Sequence, residues 1–165
     1  MESEKSKERI EQAVCLYGDM LMKVCLSMLG NRYDAEEIVQ ETFISYITNA
    51  TEFRDDEHEK AWLLRVAINK SKNFLRKSRR RIYINLDDIK EVIAAEEKQE
   101  QMIEILQLPP KIKAAIHLHY YEGYTCKEIG TIVGATESAV KKRLQKGREL
   151  LKDILEMEGY YEESV

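Results

Sequence analysis

An all-α fold, built as two small helical domains joined by an acidic linker, is predicted by three observations. Only two prolines, adjacent at Pro109 and Pro110, and seven glycines interrupt 165 residues that are rich in the good helix formers Leu, Ile, Glu and Lys. Apolar residues recur at three- and four-residue steps, the helical period. Charge also changes abruptly along the chain. Nine bases and no acid lie between Lys60 and Arg81, after six bases and fourteen acids in the first 59 residues. Residues 82–106 then hold two bases and seven acids. The net charge of −4 therefore conceals a positive stripe suited to a polyanion, nucleic acid above all.

The first helix is predicted over residues 4–29, where Ile10, Val14, Tyr17, Leu21, Val24 and Met28 share a face. Gly30-Asn31 ends it. Asp34 is read as the N-cap of a second helix, with Glu37 completing a capping box. This helix runs to about Asn49, buries Ile38, Val39, Thr42, Phe43, Tyr46 and Ile47, and exposes Glu36, Glu37, Gln40 and Glu41. Residues 51–59 read as a polar loop. A third helix follows over about 60–80. At about 100° per residue, Arg65, Asn69, Lys72, Asn73, Arg76 and Arg80 share one of its faces. Leu63, Leu64, Ala67, Ile68, Phe74 and Leu75 lie on the other.

These elements make a first domain over residues 1–81. An acidic, partly helical linker is expected over 82–107 and a second domain over 108–165. The double proline can open its first helix, with Ile112, Ala115, Ile116 and His119 at helical spacing. Thr125 with Glu128 caps a short helix, Gly134-Ala135 turns the chain, and Thr136 caps a last helix to about Met157. Two capped helices about a glycine turn are the helix-turn-helix layout. Ile129, Val133, Val140 and Leu144 are placed to pack them together. The second carries Lys141, Lys142, Arg143, Lys146 and Arg148, side chains that reach base edges and phosphates.

The same residues speak against other chemistries. The run from Asp55 to Glu59 could suggest a metal site, yet adjacent side chains diverge and a solvated loop is the better reading. His117 and His119 are two apart and so face different ways on a helix. No Gly-rich phosphate loop, nucleophile elbow or zinc pattern occurs, so no catalytic residues, cofactor, metal or small-molecule substrate are expected. Cys15, Cys25 and Cys126 form no CxxC pair and are read as buried apolar groups. No apolar run approaches the roughly 20 residues of a membrane span, and the polar N-terminus lacks a signal-peptide core. A cytoplasmic protein is expected.

Two blocks together resemble one family. DAEEIVQETFISYI (34–47) and WLLRVAINKSKNFLRKSRRR (62–81) resemble region 2 of bacterial sigma factors, and residues 108–151 resemble region 4. With no domain between them, the chain resembles the extracytoplasmic-function type. The resemblance implies a transcription initiation factor that binds core RNA polymerase and directs it to promoters. Its acidic face (Asp34, Glu36, Glu37, Gln40 and Glu41) would meet the clamp helices of the largest subunit. The −10 element would be opened and read by the loop from Phe53 to Glu59 with Arg65, Asn69, Lys72, Asn73, Arg76, Lys77 and Arg80. The −35 duplex would be read by Thr136, Glu137, Ser138, Lys141, Lys142, Arg143 and Lys146. Region 4 would also touch the flap of the second-largest subunit, and an anti-sigma factor is an implied partner. Lys146 stands where the family often has Arg, and FRDDEHE is acidic for a segment beside DNA, so base preferences stay open. Two other readings also stay open. A stand-alone helix-turn-helix regulator would bind duplex tightly, as a dimer. A metal-dependent nuclease would use Asp55 and Asp56.

Overall fold

A computed structural model describes residues 2–49, 52–78, 84–92 and 96–151. Eight α-helices and no strand occur among the described residues. Two compact units divide between Asn85 and Leu86. The first holds α1 (Glu2–Leu29), α2 (Arg32–Thr48) and α3 (Asp56–Ser78), packed pairwise on one another. Their inward faces carry Leu21, Val24, Leu26 and Met28, then Ala35, Ile38 and Phe43, then Leu63, Leu64, Ala67 and Ile68. Phe74 and Leu75 are half-buried. Gly30 takes φ 82° and donates its N–H to Leu26 at 2.8 Å, so the α1–α2 corner needs a residue free of a Cβ.

Several expected details change. The cap of α2 is Asn31, not Asp34. The Asn31 side chain accepts the Asp34 N–H at 2.9 Å, and its amide donates to the Asp34 carboxylate at 2.8 Å. The helix thereby starts three residues early, with Asp34 inside its first turn. Likewise α3 begins at Asp56, because Asp55 accepts the His58 N–H at 2.7 Å. Asp56 to Glu59 are helical, and their negative charges sit at the favourable end of the helix dipole. Val39 is half-buried, while Ile47 (54%) and Val14 (45%) are exposed. Cys15 is exposed rather than buried.

One feature of α1 also departs from expectation. By length and composition it is apolar enough to cross a membrane, although half of the qualifying window is buried in the fold, as in a core helix. Burial against α2 and α3 accounts for that apolarity.

The second unit holds α4 (Leu86–Val92), α5 (Glu96–Ile105), α6 (Pro110–Tyr120), α7 (Cys126–Val133) and α8 (Glu137–Leu150). The acidic segment expected as a linker is thus largely helical among its described residues and, from Leu86 on, belongs to the second unit. Pro110 occupies the first turn of α6, where its missing N–H costs nothing. α6, α7 and α8 pack mutually, burying Ala115, Ile116, Ile129, Val140 and Leu144, with Val133 half-buried. Residues 79–83 and 152–165, including Arg80 and the expected end of the last helix at Met157, lie outside the described residues.

Candidate nucleic-acid interface

On α3, the face expected to be basic is solvent-facing. Arg65, Asn69, Asn73, Arg76 and Lys77 are exposed and Lys72 is half-buried. From Arg65 to Arg76 the face spans about 16 Å at the helical rise. The Arg76 guanidinium donates to Asn73 Oδ1 at 3.0 Å, so one amide and one base are already coupled. A face mixing guanidinium, ammonium and amide groups can grip phosphates and bond the exposed edges of unpaired bases.

Phe53, expected as an aromatic on a loop, sits within a cluster. Its ring stacks on Tyr46 at 6.0 Å and 7°, and meets Trp62 edge-on at 5.7 Å and His58 at 5.4 Å. His58 Nδ1 accepts the Arg54 N–H at 3.1 Å. Arg9, on α1, lies over both the Tyr46 and Phe53 rings. Sequence reasoning missed Arg9 and Tyr46 in this setting, since no local spacing signals them.

The outward face of α2 carries Glu37, Gln40 and Glu41 exposed. Glu36 pairs with Arg32 at 2.7 Å, and Asp34 serves the cap. Three apolar side chains share this face: Tyr33 (80% exposed), Ile44 (58%) and Ile47. Helical spacing puts Tyr33, Gln40, Ile44 and Ile47 within about 40° of one direction. That arithmetic is available from the sequence, although the apolar chemistry of Ile47 points to the core. The face therefore combines an apolar centre with acidic flanks, the anatomy of a protein interface.

In the second unit, Thr125 Oγ1 accepts the Glu128 N–H at 3.2 Å and Glu128 accepts the Thr125 N–H at 3.0 Å. Hydrogen bonding to the carboxylate, from the Thr125 backbone N–H first and then from its side chain, holds the Glu128 carboxyl below its ordinary range. Gly134, at φ 73° and ψ 41°, makes the turn. Thr136 caps α8 by accepting the Ala139 N–H at 3.1 Å, so its hydroxyl is committed to the backbone. Glu137, Ser138, Lys141, Lys142 and Lys146 are exposed and Arg143 is half-buried. Gln145, which sequence reasoning passed over, is exposed among them and suits the bidentate reading of adenine. Lys141 reaches Glu137 at 3.4 Å and Lys146 reaches Glu149 at 4.0 Å, both exposed pairs that solvent weakens.

Two glycines set the geometry of α8. A Cβ on Gly130 would lie 2.6 Å from the Ala135 carbonyl oxygen, and one on Gly147 would lie 2.7 Å from Ile116 Cδ1. Glycine thus lets the turn close and α6 approach α8. Elsewhere, His117 is buried and stacks on Tyr121 at 5.0 Å, while His119 Nδ1 lies 2.9 Å from the Tyr124 carbonyl. No group of three or more potential metal ligands occurs among the described residues. Burial pushes the Cys25 thiol up to about 12, a value that suppresses thiolate chemistry.

Comparison with known proteins follows the same division. A family model for Sigma-70 region 2 matches residues 14–81, and one for Sigma-70, region 4 matches residues 104–151. The chain is similar to ECF RNA polymerase sigma factor SigW of Bacillus subtilis, 30% identical over 161 residues and covering 86% of each chain. It is 29% identical over 160 residues to ECF RNA polymerase sigma factor SigE of Mycolicibacterium smegmatis, covering 88% of this chain and 61% of that one. Among solved structures it is similar in fold to sigma factor RpoE, in complex with the anti-sigma factor NepR, from Bartonella quintana. The TM-score is 0.69 at 21% identity, over 90% of this chain and 98% of that one. CnrH in complex with the cytosolic domain of CnrY gives 0.68 at 22% identity, over 92% and 90%.

Proposed function

The chain belongs to the ECF RNA polymerase sigma factors, and from that premise we propose how its surfaces divide the work of initiation. As such a factor it binds core RNA polymerase and directs it to promoters through their −10 and −35 elements. The α2 face meets the polymerase through Gln40, Glu37 and Glu41, with Tyr33, Ile44 and Ile47 at the apolar centre. The α3 face, with Phe53 at its entry, takes the opened −10 strand. Unpaired bases need amide edges and aromatic surfaces as well as charge, and this unit has all three. α8 lies in the major groove of the −35 duplex and reads it with Lys141, Lys142, Gln145 and Lys146, Ser138 beside them and Arg143 holding phosphate.

The observation that carries this reading is the pairing, on one chain, of an exposed acidic-apolar helix with two separately built basic faces. A stand-alone duplex-binding regulator has no evident use for the first. The protein acts in the cytoplasm as a binding factor without catalysis of its own. RpoE, its neighbour in fold, was solved with an anti-sigma factor, and a protein of that kind is proposed to restrain this chain.

Run-off transcription with core polymerase and genomic DNA tests the whole reading. Transcripts from a defined promoter set, dependent on this chain, are expected. Tight dimeric binding to duplex without polymerase would instead favour the stand-alone regulator. Replacing Glu37 and Glu41 together with Lys should lower affinity for core polymerase about tenfold or more, measured by fluorescence anisotropy, with the thermal melt unchanged. Unaltered affinity would remove α2 from the polymerase interface.

A further inference from the structure

We infer that Arg9, through Tyr46, is a positioning residue for promoter opening: it pins the Phe53 segment in the pose that receives the −10 strand. The inference rests on the reading of Phe53 as part of the −10 surface. Residues 52–55 have no regular structure, so side-chain contacts must define where Phe53 points. Those contacts come from three helices. From α1, Arg9 Nε donates to Tyr46 Oη at 3.1 Å, and its guanidinium carbon lies 5.7 Å from the Tyr46 ring centre and 5.8 Å from that of Phe53. From α2, Tyr46 stacks on Phe53 and donates its hydroxyl to Glu59 Oε1 at 2.6 Å. From α3, Trp62 meets both rings edge-on.

A guanidinium fits this place because it is flat, can lie over two rings and still directs an N–H at a hydroxyl. The Tyr46 hydroxyl both accepts from a cation and donates to a carboxylate, two charge-assisted bonds through one oxygen. Holding the segment before DNA arrives spares the ordering cost that a loose loop would incur on capture.

Trp62 is the chain's single tryptophan, so in the free chain, without polymerase, its fluorescence reports on this cluster alone. The test uses the full chain with core polymerase and a promoter carrying 2-aminopurine in its −10 element, and compares Arg9→Gln, Arg9→Lys, Tyr46→Phe and Phe53→Ala. Arg9→Gln is expected to slow opening about tenfold, to keep core affinity within about twofold, and to raise acrylamide quenching of Trp62. Arg9→Lys should recover only part of the rate. Tyr46→Phe, which keeps the ring and removes both hydroxyl bonds, should slow opening in the same direction while core affinity stays within about twofold.

Wild-type opening by Arg9→Gln beside a defective Phe53→Ala overturns the positioning role and leaves the −10 reading intact. Wild-type opening by Phe53→Ala removes that reading itself. Equal loss of core binding and opening in Arg9→Gln would mark a merely structural tie and overturn the inference. So would a defect not reproduced by Tyr46→Phe and without change at Trp62, the signature of Arg9 holding a phosphate.

Discussion

The two basic helices of this chain carry similar charge but are supported in different ways. On α3 the bases alternate with Asn69 and Asn73, and the helix entry joins an aromatic cluster of Tyr46, Phe53 and Trp62 that Arg9 of α1 covers. On α8 the bases stand on a helix held by its Thr136 cap and by glycines at the turn and at the α6 contact. The first arrangement brings together varied contacts for a strand with exposed bases. The second fixes the direction of one rigid helix, which is what a groove in duplex DNA demands. Under the division proposed above, similar charge serves two uses because its surroundings differ.

The largest break in this comparison is expected at Gly130. Gly130→Ala forces its Cβ against the Ala135 carbonyl, and should destabilise the second unit by about 1–3 kcal/mol. Affinity for −35 duplex should fall with it, while core binding through the first unit is kept. Denaturation and duplex titration check both. If α7 and α8 tolerate the methyl, the turn is not what aims α8.

Lys113 offers a stability test confined to the second unit. Its side chain is fully buried, and burial pushes its ammonium down to about 8 from 10.5. Between those values the unfolded chain binds more protons than the folded one, so this group's contribution to stability rises with pH across that window. Near neutrality, where this burial cost is largest, Lys113→Met should therefore be more stable than the wild type. The advantage should shrink as pH climbs from 8 to 10.5. Urea titrations at several pH values measure it, and a gap independent of pH would refute the assignment.

Lys142→Ala sharpens the contrast further. It should cost about 1–3 kcal/mol of −35 affinity and discriminate among −35 sequences if Lys142 reads a base. A uniform loss with a shallower salt slope would make it a phosphate contact instead. The smallest effect is expected from Thr136→Ala, about 1 kcal/mol in the thermal stability of α8, with sequence preference unchanged. A shift in preference would show that its hydroxyl also serves DNA.

Much of this organisation is visible in the amino-acid order because it depends on neighbours a few residues apart. Thr125 with Glu128, and Thr136 before an apolar-periodic run, announce helix starts through bonds spanning three residues. The α3 wheel separates Arg65, Asn69, Asn73 and Arg76 from Leu64, Ala67 and Ile68, and the fold respects that division. Where two local signals compete, neighbouring residues alone do not decide the outcome. Asn31 and Asp34 can each cap, and the amide of Asn31 prevailed because it bonds both the Asp34 backbone and its carboxylate. Ile47 has a core residue's chemistry but an exposed position, so residue type alone makes this α2 face look purely acidic.

By itself, then, the sequence determined the all-helical class, the positions of most helices, the helix-turn-helix and the two basic faces, because periodicity, caps and charge runs are short-range properties. Only the tertiary structure decided that Arg9 lies over Tyr46 and Phe53, that Tyr46 reaches Glu59, and that Gly130 and Gly147 are points of close approach. Arg9 and Tyr46 are 37 residues apart, and no local pattern encodes their meeting. It arises when three apolar faces are buried together, and burial sets the registers that bring such side chains into contact.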